Sequence, residues 1–60
     1  MEEIITVCYG KVEIWHDRRQ AMEHFMEGMM CSEGAERERY TQIYTQLASG
    51  LTYCTDKEDI

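Results

Sequence analysis

Residues 17 to 31 read DRRQAMEHFMEGMMC, and this stretch organises the rest of the chain. It holds four of the five methionines and the single phenylalanine, so it is where apolar surface concentrates. Wound as a helix, it places Ala21, Met22, Phe25, Met26, Met29 and Met30 on one side. Gln20, Glu23, His24 and Glu27 fall on the other. The apolar side covers about half the cylinder, wider than the ~100° stripe that a surface helix needs to cover one core. The expectation is a helix over 18–31 that touches its own core and something beyond it. Met22, Phe25, Met26 and Met29 are assigned to the core. Ala21 and Met30, at the stripe's edges, are assigned to an interface.

Asp17 supplies the start of this helix. Its carboxylate can accept from a free first-turn amide, and Gln20 three residues on completes a capping-box pattern. Gly28 is a weak point, costing ~1 kcal/mol relative to alanine, and it admits close approach of another backbone.

Upstream, residues 4–9 (IITVCY) and 12–16 (VEIWH) are rich in β-branched and aromatic residues. With Gly10 and Lys11 as a two-residue loop, glycine first, they form a type II′ hairpin over 4–16. That register sets Tyr9 opposite Val12, Val7 opposite Ile14 and Ile5 opposite His16. One face carries Ile5, Val7, Tyr9, Val12 and Ile14, and the other Thr6, Cys8, Glu13 and Trp15. A one-residue slip would spoil this sorting. Trp15, on the mixed face, is read as exposed.

Downstream, CSEG at 31–34 breaks the helix. Ser32 is positioned to cap the next one, and Gly34 suits a left-handed conformation. A second helix over 35–49 places Tyr40, Ile43, Tyr44, Leu47 and Ala48 at one-sided amphipathic spacing. Gly50 stops it. In the tail, 51–60, the alternation of Leu51 and Tyr53 with Thr and Cys suggests a short third strand over 51–55, and DKEDI at 56–60 reads as frayed. The fold class is α+β, a ββαα order in one small domain over 1–60: an N-terminal hairpin followed by two antiparallel helices.

Sixty residues bury only about 60% of the surface that the unfolded chain exposes. Domains this small recruit disulfides, a metal or a partner subunit. Cys8, Cys31 and Cys54 are odd in number and unpaired in spacing, which reads as reduced thiols rather than a disulfide framework. No C-x2-C or H-x3-H spacing suggests zinc, so neither metal nor cofactor is expected. A homodimer remains as the means of completing the core. Trp15, Tyr40 and Tyr53 join Ala21 and Met30 as interface candidates, since large aromatics anchor interfaces.

The net charge is −6, from twelve acids and six bases. This balance disfavours nucleic acid and anionic membrane surfaces, and it suits a basic protein partner. No apolar run is long enough to span a membrane or form an export signal. His24 reads as a solvated surface residue and His16 as a hairpin-edge residue. A Cys8–His16 pair would point to opposite faces of the hairpin. No enzymatic site is expected.

The segments VCYGKVEIWHDRR and MMCSEGAERERYTQIYTQL, with CTD at Cys54 to Asp56, resemble a group of very short uncharacterised proteins of gut Firmicutes, often carried on conjugative elements and prophages. The resemblance covers nearly the whole chain but brings no catalytic motif. It implies mobile-element cargo acting in a bacterial cytoplasm. Small acidic proteins in that setting are often inhibitors of host defence, including anti-CRISPR and anti-Hachiman proteins. The functional expectation is a non-enzymatic protein-binding module that inhibits a host defence protein. One alternative is a dimeric DNA-binding regulator or accessory factor of the element. Another is a thiol or metal sensor using Cys8, Cys31 or Cys54.

Overall fold

The computed structural model describes residues 2–56. Met1 and residues 57–60, which hold most of the tail read as frayed, lie outside them. Strands β1 (Ile4–Cys8) and β2 (Lys11–Trp15) form the hairpin; helices α1 (Arg18–Cys31) and α2 (Gly34–Ala48) follow; strand β3 (Tyr53–Thr55) closes the chain. The sheet order is β2-β1-β3, antiparallel between β1 and β2 and parallel between β1 and β3. The short third strand anticipated in the tail therefore exists and makes the sheet mixed. Amides at its two ends extend the ladder, Ile5 N donating to Thr52 O (2.8 Å) and Asp56 N to Val7 O (3.2 Å).

The hairpin register differs from the expected one by two residues. Cys8 pairs with Lys11, Val7 with Val12, Ile5 with Ile14 and Ile4 with Trp15. The loop is Tyr9–Gly10, with φ of 54° and 76°. Positive φ at both central residues is the type I′ pattern, whose twist matches the flanking strands. A shift of two preserves the side-chain parity, so the two faces keep most of their members, while Tyr9 leaves the strand for the turn.

The helices start and stop where local chemistry directs. Asp17 Oδ1 accepts from the Arg19 amide at 2.9 Å. At the far end of α2, Gly50 at φ 93° donates to Leu47 O (3.1 Å) and Leu51 donates to Gln46 O (3.1 Å). These two bonds are a Schellman closure. At the first position of α2, Gly34 is left-handed (φ 64°) as anticipated. Ser32, however, does not cap α2. Its hydroxyl donates to Glu36 Oε1 at 2.9 Å, and Glu33 holds the N-cap position without a side-chain bond.

With only Ser32 and Glu33 between them, α1 and α2 run antiparallel. Gly28 lies against Tyr40 near one end of the pair, and Arg18 reaches Leu47 at the other. The core between helices and sheet holds Ile4, Ala21, Phe25, Ile43, Leu47 and Cys54, with Thr6 buried among them. Cys8, Trp15, Met22, Tyr40 and Tyr44 pack around it. Several assignments are thereby corrected. Ala21, expected at an interface, is fully buried within its own core. The small side chain belongs to the core cluster with Ile4, Phe25, Ile43, Leu47 and Cys54. Trp15, expected outside, packs inward: its ring centroid is 6.3 Å from that of Phe25, and Nε1 donates to Thr6 Oγ1 at 2.9 Å. Tyr40 is half-buried, 6.0 Å centroid to centroid from Phe25. Met26, expected in the core, is exposed.

Gly28 is explained by Tyr40. A Cβ on Gly28 would lie 2.9 Å from Tyr40 Cδ1 and 3.0 Å from Cγ, close to the root of a ring that cannot swing freely. The close approach is thus by a side chain and not by another backbone. Gly28→Ala gains up to ~1 kcal/mol of helix propensity but overpacks a contact at a typical cost of about 1–3 kcal/mol. The expected outcome is a lower urea midpoint for Gly28→Ala. In a Tyr40→Ala background the same substitution becomes stabilising. A rise in stability with Tyr40 intact would refute the contact.

Candidate functional site

The most unusual surface is the outer face of the sheet. Since Ile4, Thr6, Trp15 and Cys54 point at the helices, the pleat turns Ile5, Val7, Val12, Ile14, Tyr53 and Thr55 away from them. Val12, Ile14 and Tyr53 are 61%, 57% and 60% exposed. The register sets Val12 beside Val7, and Ile14 and Tyr53 on either side of Ile5, so these side chains form one continuous patch. A sheet covered on one side ordinarily alternates apolar-in with polar-out. Here the outward set is the more aliphatic of the two. Lys11 and Glu13, the charged residues of the strands, share the inward parity.

A second apolar surface lies on the helix layer. Met22, Met26 and Tyr44 line a groove of ≈ 420 Å³ between α1 and α2, bordered by Arg18, Arg19 and Glu23. Met30, one turn beyond Met26, is 81% exposed. Of the interface candidates read from sequence, Met30 and Tyr53 are open to solvent and lie on different layers. Trp15, Ala21 and Tyr40 belong to the core region.

Three polar residues that sequence reasoning overlooked hold these surfaces in place. Arg18 clasps the C-terminal end of α2: Nη1 donates to Leu47 O (2.7 Å) and Leu51 O (2.9 Å), and Nη2 to Gly50 O (3.3 Å). Nη2 also pairs with Glu2 at 2.6 Å. A cation at this position answers the carbonyls and partial negative charge that a helix end presents. Gln46 reaches the outer edge of β3 and makes two bonds with one residue: Nε2 donates to Thr55 O (2.9 Å), and Oε1 accepts from Thr55 N (3.1 Å). Its amide stands in for a neighbouring strand and closes that edge. β2 is the edge left open.

Asp56 is the third. Read as the first residue of a frayed tail, it is only 8% exposed. Its Oδ2 accepts from the Tyr9 amide (2.9 Å) and from Arg39 Nη1 (2.8 Å). The Arg39 guanidinium in turn lies 4.5 Å from the centre of the Tyr9 ring, and the Tyr9 hydroxyl donates to Glu36 Oε2 at 3.4 Å. Tyr9 is the one non-glycine residue with positive φ among the described residues. These contacts offset the cost of that conformation. Nothing in the DKEDI segment signals this role, because the partners are 17 and 47 residues away.

His16 and His24 are exposed. The His24 imidazole rests 5.2 Å from the Trp15 ring and 5.0 Å from Phe25, a packing contact. Burial pushes the Cys8 thiol up, and the Asp56 carboxylate adds to that. Burial likewise raises Cys54, with Arg18 pulling the other way. Both thiols are therefore weak nucleophiles at neutral pH. Cys31 is exposed. Among the described residues, no three His, Cys, Asp or Glu side chains are grouped to hold a metal ion. No helix among them is long and apolar enough to cross a membrane.

No known family model, curated protein or solved structure matches the chain. The surfaces themselves carry the functional argument.

Burial on its own would raise the Asp56 carboxyl, but the Tyr9 amide and the Arg39 guanidinium outweigh it and hold the group below its ordinary 3.8. The unfolded chain then binds this proton more tightly than the folded one. The Asp56 contribution is complete above about pH 4 and is lost as pH falls through the depressed folded value. Asp56→Asn is expected to cost about 1.5–3 kcal/mol at neutral pH, the range for hydrogen bonds to a charged group. It is also expected to flatten the acid limb of stability against pH. Urea titrations from pH 7 to pH 2 check both. Equal acid slopes for variant and wild type would remove Asp56 from this role.

Proposed function

We propose that the protein is a non-enzymatic protein-binding module, working as a homodimer on a second, different protein. The observation that carries this reading is the uncovered aliphatic face of the sheet. On a 60-residue chain, this face leaves Val12, Ile14 and Tyr53 more than half exposed beside the half-buried Ile5 and Val7. Contiguous apolar patches of this kind mark interaction sites. The methionine-lined groove on the helix layer adds a second such surface, built from side chains that adapt to irregular partners.

The acidic balance directs the choice of partner. Glu23, Glu27, Glu33 and Glu38 are exposed on the helices and their connection. A net charge of −6 over the whole chain suits a protein with a basic surface, such as the nucleic-acid groove of a bacterial defence enzyme. The setting that goes with this reading is an inhibitor carried by a phage or conjugative element, acting in the host cytoplasm.

The DNA-binding alternative is weaker. A β-ribbon reader places polar and basic side chains of its strands in a groove. The outward face here has no basic residue. Arg18 and Arg39 are engaged by Glu2 and Asp56. The thiol-sensor alternative is weakened by the raised Cys8 and Cys54 thiols.

Affinity capture from a bacterial lysate tests the reading. Wild-type protein is expected to retain a host protein at low salt and release it as salt rises. Met26→Glu, placed in the groove, is expected to lose that protein while keeping its circular dichroism spectrum. Equal retention by both forms would move the partner off the groove. Retention of none by the wild type would overturn the protein-binding role.

A further inference from the structure

We propose that the outward face of the sheet is the seam of the homodimer, covered by the same face of a second copy, and that the helix-layer groove is thereby left free for the other partner. This rests on the dimer stated above and assigns its surface. Three observations converge on a second copy as the occupant.

The first is charge. The chain carries twelve acids against six bases, so two copies repel wherever their acidic surfaces meet. The outward sheet face is where they can approach without such a meeting. Val12, Ile14, Ile5, Val7 and Tyr53 are uncharged, and both charged strand residues, Lys11 and Glu13, have inward parity. A partner recruited by opposite charge would find nothing there to recognise. What complements a pleated, uncharged, β-branched face is another of the same kind, and every copy of the chain supplies one.

The second is architecture. The described residues form one layer of sheet and one of helices, and among them only the inner side of the sheet is covered. Two sheets stacked face to face at ~10 Å give the aligned packing of a β-sandwich. A two-fold axis between them places one patch on itself, as a closed dimer requires. Among the described residues of one chain, the largest fully buried side chains are Phe25, Ile4, Ile43, Leu47, Thr6 and Cys54. Stacking would turn the outer sheet face into a second core layer. Pairing through the open β2 edge would instead lengthen the sheet and leave twice the apolar area in water.

The third is area. A patch on two five-residue strands and one three-residue strand falls in the ~300–600 Å² range of the largest patches on monomers. Two such patches bury less than ~1,200 Å² together, at the lower end for specific interfaces. The dimer is therefore weak and exchanging, with monomer and dimer both present over the micromolar-to-millimolar range.

Sedimentation equilibrium decides it. The wild-type mass is expected to rise from 7.1 kDa toward twice that value with concentration, and its melting temperature to rise in step. Ile14→Lys, on an exposed position of β2, is expected to hold the protein at the monomer mass throughout with an unchanged circular dichroism spectrum. Val12→Lys does the same, and Met26→Lys on the helix layer leaves self-association intact. A wild type that stays at 7.1 kDa, or an Ile14→Lys variant that associates as the wild type does, overturns the seam. Self-association lost in Met26→Lys and kept in Ile14→Lys overturns it in favour of the helix groove. A monomeric wild type that still captures a host protein would end the seam while leaving the protein-binding role standing. A dimer abolished by Ile14→Lys that captures nothing would do the reverse.

Discussion

A strand cannot turn adjacent side chains to the same side, and in this protein that constraint decides nearly everything else. His16 and Asp17 are all that separate β2 from α1, so the helix leaves the sheet on the side toward which Trp15 points. The indole fills the space beside Phe25 and finds its hydrogen-bond partner in Thr6, one strand over. Once Trp15 faces inward, so do Ile4, Thr6 and Cys8 across the hairpin and Cys54 beyond it. Ile5, Val7, Val12, Ile14 and Tyr53 must then face out. The uncovered aliphatic face follows from seating the largest side chain and keeping a two-residue connection. It is not a local packing fault.

Because the core on the other side of the sheet is small, the elements are fastened by long polar side chains. Arg18 joins the first turn of α1 to the last turn of α2 and to the approach to β3. Gln46 joins α2 to the edge of β3, and Asp56 joins the end of β3 to the hairpin turn and to Arg39. Each one gives a backbone group near an element's end a partner that water would otherwise supply. Isolated surface ion pairs contribute little. These contacts differ because most of them reach main-chain atoms in partly buried settings, where a missing partner costs about 1–3 kcal/mol. All three meet at β3, a strand of only three residues that adds little apolar surface of its own. Its pairing with β1 depends on this set of tethers.

The parts of the fold written in local sequence were legible. Asp17 as a cap, Gly50 as a stop, Gly34 as a left-handed hinge and the bounds of both helices each depend on chemistry within four residues. The hairpin was legible as a hairpin, but its register was not. Gly10 serves equally as the first residue of a type II′ loop or the second of a type I′ loop, and the two differ only in whether Tyr9 accepts positive φ. Tyr9 does so because Asp56, Arg39 and Glu36 hold it, and none of them is near it in sequence. The choice of inward face was hidden for a similar reason. Apolar counting favours Ile5, Val7, Val12 and Ile14, whereas the fold is decided by one large residue and the length of the connection that follows it. Ala21 misled because a small residue at a stripe's edge looks dispensable, yet close packing of three elements requires it.

The arrangement that results separates two kinds of surface. Exposed charges of both signs lie on the helix layer, Glu23, Glu27, Glu33 and Glu38 with Arg19 and Arg37, beside a groove floored by methionines and Tyr44. The sheet layer turns its two charged strand residues inward and shows an uncharged face. An apolar patch free of charge has no long-range means of choosing a partner, and for a very acidic chain its safest occupant is one that brings no further acid into contact. The charged helix layer has the opposite properties: steering at a distance and salt dependence. Burying the uncharged face between two copies would present two charged helix layers on opposite sides of one particle. It would also double the number of grooves available to a target without any change in the contacts that each groove makes.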